Sequence, residues 1–223
     1  MTTTNETHSG MDTARSINMQ KRRERILTEA RTIIAERGFE AFNLRDLAER
    51  SALTVPTVYN LIGNKDEILK ALILGAFADF ETEFGKHPPV PARELPVVIT
   101  GILVALTSGQ EDYFRATALA SERIDNPQEL LGKSGVLRTS YGNIANKLVE
   151  EALAANLLLG KISREMLVEQ MVATCQLAFR DWAYRIISTE ELRKASLKGF
   201  YIPLAADATE SFHAEIANRL QAL

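Results

Sequence analysis

With 223 residues, 46% of them hydrophobic and 25% charged, the chain has an ordinary globular composition and length enough for one or two domains with a sizeable core. A single cysteine, Cys175, rules out an intramolecular disulfide and a cysteine-ligated structural zinc site, and fits a reducing compartment. No apolar run reaches the roughly 18 residues of a membrane span, and the polar residues 1–12 lack the apolar core of a signal peptide, so a cytoplasmic protein without a membrane partner is expected.

Residues 1–19, rich in Thr, Asn and Ser, read as a disordered tail. From Arg22 the pattern is helical, with Ile26, Leu27, Ala30, Ile33 and Ile34 at three- and four-residue steps, until Gly38 supplies a left-handed stop. Phe39 and Phe42 follow as core anchors. Asn43 opens a second helix, with Asp46 in a capping-box-like position and Leu44, Leu47 and Ala48 on the apolar face. Ser51, Ala52 and Leu53 interrupt it. Thr54 caps a third helix, in whose first turn Pro56 is tolerated. Gly63-Asn64 ends that helix, and a long fourth one begins at Asn64 or Lys65, carrying Ile68, Leu69, Leu72, Ile73, Ala76, Phe77 and Phe80.

Four of the seven prolines fall in residues 87–96, which read as a connection. Helices are expected over 95–107 and 113–124, then a loop over 125–135 containing Pro127. Leu137, Tyr141, Ile144, Leu148, Ala152 and Ala155 mark an amphipathic helix ending near Gly160. Ser163, with Met166, Leu167, Met171, Cys175, Ala178, Phe179 and Trp182, starts another. Ser188 caps a last helical region to about Leu220, which Pro203 is expected to kink or break. No persuasive strand is found, so the fold class is all-α.

The charge is unevenly spread. A formal net charge of −3 argues against a general nucleic-acid binder, yet residues 21–65 hold nine basic against six acidic side chains. That segment is about +3, which leaves about −6 for the rest, the asymmetry a local phosphate contact produces. A solvated face gives the same count. Two short helices joined by a tight turn and preceded by a longer one make a helix-turn-helix. In the second of them Val58, Leu61 and Ile62 can point inward while Val55, Pro56, Tyr59 and Asn60 lie on the other side. The helix N-terminus offers backbone N–H groups to a phosphate. Thr57 and Tyr59 carry hydroxyls for phosphate or base edges, Asn60 can read adenine, and Lys65 is in reach of the same backbone. Arg22, Arg23 and Arg25 either flank DNA or form a solvated helix start.

The residues Phe42-Asn43-Leu44-Arg45-Asp46-Leu47-Ala48-Glu49-Arg50, then Leu53-Thr54-Val55-Pro56-Thr57-Val58-Tyr59, then Lys65-Asp66-Glu67-Ile68-Leu69, resemble the TetR-like (tetracycline-repressor-like, TetR/AcrR) family. In that family a GxxxxTxxxIA segment leads into GVSxGTLYxHFxxKExL. The resemblance covers residues 24–72. Ala52 departs from it at the usual turn glycine, Pro56 at a frequent glycine, Leu61 at a histidine that helps contact DNA, and Ile62 at a phenylalanine. The resemblance implies a helix-turn-helix DNA-binding domain over 20–66, with Thr54, Val55, Thr57, Tyr59, Asn60 and Lys65 at the DNA and Asn43 and Arg45 as phosphate partners.

The same resemblance makes residues 67–223 a larger helical ligand-binding and dimerisation domain. The helices of 163–187 and 190–220 would form a homodimer, which places two recognition helices roughly 34–36 Å apart on a pseudo-palindromic double-stranded DNA operator. A small-molecule effector would release the repressor from DNA, with the fourth helix as the lever. Phe114, Tyr141, Phe179 and Trp182 are candidate effector contacts, with Phe77, Phe80 and Tyr113, though aromatics at this spacing equally serve a core. Arg180 and Asp181 could orient a polar group or pair with each other. No catalytic residue, metal site or cofactor is expected. His8, His87 and His213 are scattered, and Leu131-Gly132-Lys133-Ser134 lacks the preceding glycine and strand of a phosphate-binding loop. The alternatives are a helical ligand-binding protein of this fold without DNA binding, or an activator.

Overall fold

The computed structural model describes residues 6–122, 128, 132 and 135–223, with side chains from Ser16 onward except Val136. Most of the expected loop over 125–135 lies outside these residues, as does the Leu131–Ser134 segment apart from Gly132. The chain divides into two units, Met1–Leu72 and Ile73–Leu223, against the expected boundary at 66/67.

In the first unit, α1 (Glu6–Ala41) continues through the segment expected to be a disordered tail. Residues 16–20 are exposed there, and extension of an existing helix adds one hydrogen bond per residue without a new nucleation cost. Gly38 interrupts α1 with φ 75° and ψ 167°, a conformation essentially confined to glycine. α2 (Leu44–Arg50), α3 (Val55–Leu61) and the start of α4 (Lys65–Lys86) follow. Ile26, Ala30, Ile33, Ile34, Leu47, Val58, Ile68, Leu69 and Leu72 are fully buried, each worth about 1.5–3 kcal/mol for the larger side chains. Burial of the last three carries this unit past the expected boundary. Arg50 and Glu36 (2.7 Å) and Arg37 and Asp46 (3.3 Å) tie α2 to α1 at the surface.

In the second unit, α4 runs on to Lys86, and a short 3-10 turn at Ala92–Glu94 leads into α5 (Leu95–Gly109). Then come α6 (Glu111–Ser121), α7 (Val136–Ala154), α8 (Arg164–Ala183), α9 (Thr189–Ala206) and α10 (Glu210–Gln221). α8 packs on α6, α7 and α9, and α9 packs on α5, α8 and α10. Residues 92–109 are long and apolar enough to cross a membrane by length and composition, contrary to the expectation that this run falls short. Here Leu95, Ile99 and Thr100 are buried in the unit's own interior.

Helix ends follow local chemistry. Ser163 accepts from Met166 N, and Ser188 and Glu191 form a full capping box at α9. Pro203 was expected to break the last helical region, but α9 passes through it and stops at Asp207. Phe200, Tyr201 and Leu204 are buried on either side of it, so packing holds the helix through the proline. The stop at Asp207 carries its own anchor. Its fully buried carboxylate accepts from the backbone N–H groups of Gly160 (2.8 Å), Lys161 (2.8 Å) and Ile162 (3.1 Å), fastening the loop between α7 and α8 to the end of α9. An isolated bridge between Leu158 and Ala208 continues the seam, so the all-α description holds with that one bridge.

Asp207→Ala leaves three backbone donors without their acceptor and should lower stability by about 2–3 kcal/mol; Asp207→Asn, which keeps one oxygen, should lose about half as much. Urea unfolding of both variants at unchanged m-value checks this.

Candidate nucleic-acid interface and ligand cavity

α3 has seven residues, too few to stand alone, and its position is fixed from both ends. At the start, Thr54 Oγ1 accepts from Thr57 N (3.3 Å), and the two threonine hydroxyls lie 2.8 Å apart. At the finish, the Arg23 guanidinium donates to the carbonyl of Leu61 at 2.8 Å, satisfying one of the orphan acceptors of a helix C-terminus. Arg23, left between a DNA flank and a solvated face by sequence, is thus a clamp between α1 and α3. Between the ends, Val58 is fully buried, while Leu61 and Ile62 are only half-buried.

The turn before α3 is equally determined. Asn43 Oδ1 accepts from Arg45 N (3.1 Å) and Asp46 N (2.9 Å) to start α2, while the Asp46 carboxylate turns to Arg37. α2 ends in a Schellman arrangement, with Leu53 N donating to Ala48 O (2.8 Å) and Ala52 N to Glu49 O (3.0 Å). Ala52 occupies the left-handed position there, φ 51°, a conformation that favours glycine. After α3, Gly63 adopts φ 125° where a side chain would meet Glu67 Cβ at 2.8 Å, and Asn64 accepts from Glu67 N to begin α4.

The eight residues expected at DNA therefore separate. Arg45, Val55, Tyr59 and Asn60 are exposed, Tyr59 by 57% and Val55 by 38%. Asn43, Thr54 and Thr57 spend their polar atoms on helix caps, and Asn43 Nδ2 also donates to Ala41 O. Lys65 Nζ rests 4.4 Å from the centroid of the Phe39 ring and 5.9 Å from that of Phe42. The expected cluster of N–H groups at the start of α3 is reduced. Pro56 has none and Thr57 N is taken, which leaves that of Val55.

The three-helix unit matches the family model for bacterial regulatory proteins of the tetR family over residues 26–72. By this match residues 26–72 form a unit of the tetR-family type. The transcriptional repressor KstR of Rhodococcus jostii is 28% identical over 133 residues, 56% of this chain, and the match spans 62% of that repressor's length. Two solved structures share the fold. SmeT, the repressor of the Stenotrophomonas maltophilia multidrug efflux pump SmeDEF, superposes with a TM-score of 0.61 at 19% identity, covering 85% of this chain and 92% of SmeT. A tetR-family regulator from Streptomyces coelicolor gives 0.58 at 16% identity, covering 91% and 89%.

The second unit holds a cavity of about 410 Å³, in the range of small-molecule sites. Ile73, Phe77 and Phe80 of α4 line it with Leu103, Leu106 and Thr107 of α5, Tyr113, Phe114 and Thr117 of α6, Tyr141 and Ile144 of α7, and Met171, Cys175, Gln176 and Phe179 of α8. Phe114, Tyr141 and Phe179 are thus part of the cavity wall. Trp182 is not. It is fully buried in a separate cluster with Ala178, Ala183 and Leu192, donates its indole N–H to Thr189 Oγ1 (3.0 Å), and stacks under Arg115 at 4.1 Å. Its size and hydrogen bond make it a filler, its ring 5.2 Å from that of the cavity-lining Phe179. Arg180 pairs with Asp181 at 3.4 Å. Burial pushes the Cys175 thiol up to about 12 and raises the Tyr141 phenol above its ordinary range, so both are neutral at pH 7. Thr107, Thr117 and Gln176 were not singled out from sequence; the one available signal is a polar residue interrupting an apolar helical face.

Replacing Ala52 by Gly relieves the left-handed strain without touching a side-chain contact. The Ala52→Gly variant should be more stable by about 1 kcal/mol, read as a higher urea midpoint at constant m-value.

Proposed function

We propose that this chain is a homodimeric, cytoplasmic transcriptional repressor that binds a pseudo-palindromic operator through α3 and leaves it when a small molecule occupies the cavity of the second unit. The observation that carries this reading is the exposed face of α3. An apolar valine, a tyrosine and an asparagine stand in solvent on a helix clamped at both ends, in a family unit built for DNA. A large exposed tyrosine held this firmly has no task in the fold itself. Tyr59 and Asn60 address base edges or phosphates, Val55 suits a thymine methyl group, and Arg45 adds a phosphate contact. Asn43, Thr54 and Thr57 act by placing the helix, and Lys65 contributes charge from its seat on Phe39. The printed names of KstR and SmeT, both repressors, favour repression over activation. The protein acts by binding and catalyses no reaction.

Pairing of subunits rests on a stripe along α8. Met166, Gln170, Ala173 and Leu177 are exposed at alternating four- and three-residue steps that put them on one helix face, and Tyr184, seven residues on at the end of α8, is exposed too. Met166 is 65% exposed and Leu177 49%, and Ile202 of α9 adds a further apolar side chain at 58%. An isologous two-fold interface covers such a stripe with its own copy.

Two outcomes test the reading. Tyr59→Ala should weaken binding to DNA flanking the chain's own gene by roughly tenfold in gel shift, with unchanged helical content by circular dichroism, and binding of the parent should fall steeply with salt. Unaltered binding would remove α3 from the interface. Leu177→Glu should convert the dimer to monomer in light scattering and abolish operator binding with it, because one short helix buries too little surface for tight specific recognition.

A further inference from the structure

The chemistry of the cavity wall specifies what it holds. Most of that wall is aliphatic or aromatic, and among its polar atoms the Thr117 hydroxyl and the Gln176 side-chain amide N–H₂ are buried without a hydrogen-bond partner among the described residues. A buried donor left unmade is costly, so its persistence in a native wall marks a partner supplied from elsewhere. Two other hydroxyls of the wall are occupied. Thr107 donates to Leu103 O at 3.0 Å and Ser121 to Ala118 O at 2.6 Å. The charged groups of the wall are answered too, Arg180 by Asp181 and Glu122 by the Tyr184 hydroxyl at 2.8 Å. Arg115, buried on α6, is held by Glu111 at 2.5 Å and lies over Trp182, outside the lining. Among the described residues the wall therefore offers no free cation to a buried carboxylate or phosphate, and a desolvated charge without a partner is costly.

We propose that the cavity takes a neutral, predominantly apolar compound bearing a carbonyl-type acceptor, which receives hydrogen bonds from Gln176 and Thr117 while Phe77, Phe114 and Phe179 enclose its apolar body. This rests on the reading of the cavity as the effector site and names the class of effector. The polar pair fixes orientation, and the apolar wall supplies most of the affinity. A hydrocarbon of the same shape fills the space but leaves both polar groups unmade, so it binds more weakly.

Benzophenone, diphenylmethane and benzoylbenzoate are suitable probes, sharing a shape and differing in a ketone or an added carboxylate. Thermal unfolding of the full chain against probe concentration should show benzophenone binding about tenfold more tightly than diphenylmethane, and benzoylbenzoate more weakly than benzophenone. In Gln176→Leu the ketone should lose its advantage while diphenylmethane still binds; Thr117→Val, a smaller change, should shrink that advantage should the first variant fail to fold. Equal binding of ketone and hydrocarbon, tightest binding of the carboxylate, a ketone preference that survives both substitutions, or no shift with any probe would each overturn the proposal. Gel shift with the same probes separates the two readings. Gln176-dependent ketone binding that leaves operator binding intact keeps the proposal and removes ligand release. Release of DNA that ignores Gln176 does the reverse.

Discussion

A seven-residue helix cannot hold itself in water, and the first unit is organised around that constraint. Val58 anchors α3 from below, Thr54 satisfies its first turn, and Arg23 reaches across from α1 to its last carbonyl. Those three interactions let the opposite face be polar, aromatic and exposed without loss of order. The neighbouring turns serve the same end. Gly63 passes close to Glu67 where a Cβ has no room, and Ala52 accepts left-handed strain to turn α2 into α3 within four residues. Strain of this kind persists where the surroundings over-determine it.

The second unit solves the opposite problem. Its interior must contain space, so the helices around the cavity draw their order from packing elsewhere. α9 provides much of it, meeting α5, α8 and α10, with Gly199 letting it approach Thr174 of α8 to within the reach of a methyl group. The Asp207 carboxylate and the Arg219 network, in which Glu94, Tyr201 and Glu215 surround one guanidinium, secure the end away from the cavity. Arg219 in turn holds the Glu94 carboxyl below its usual range. Trp182 fills the space that remains between α6, α8 and the start of α9.

Legibility in the sequence tracks the range of the interaction. Caps are local, and Asn43, Thr54, Ser163 and Ser188 were all readable because donor and acceptor lie within three residues. Gly38 was readable as a stop because only glycine adopts such a backbone without penalty. How far the helix runs past Pro203 was harder to read, because it depends on burial contributed by other helices. Trp182 was left between effector contact and core by sequence because an aromatic on the buried face of α8 has two directions in which to point, and only tertiary packing selects between them. Arg23 was undecidable for the same reason, its acceptor lying 38 residues away. Thr117 and Gln176 show the limit most sharply. A lone polar residue on an apolar face reads as noise until the space in front of it is seen.

α4 is where the two tasks meet in the covalent chain. Its early residues, Ile68, Leu69 and Leu72, are buried and belong to the first unit, while Ile73, Phe77 and Phe80 belong to the second and line the cavity. The helix is continuous through the boundary, without a proline or an irregular turn to uncouple its halves. A ligand can shift the DNA-binding state only by its difference in affinity for two arrangements of the protein, and each tenfold difference supplies about 1.4 kcal/mol. In the proposed mechanism that difference has to arise at the cavity wall, and α4 is the part of that wall whose own sequence continues into the first unit. Phe77, edge-on to Tyr141 at 5.1 Å, is one place where it can arise, because a bound molecule that displaces either ring must also displace the helix turn that carries it.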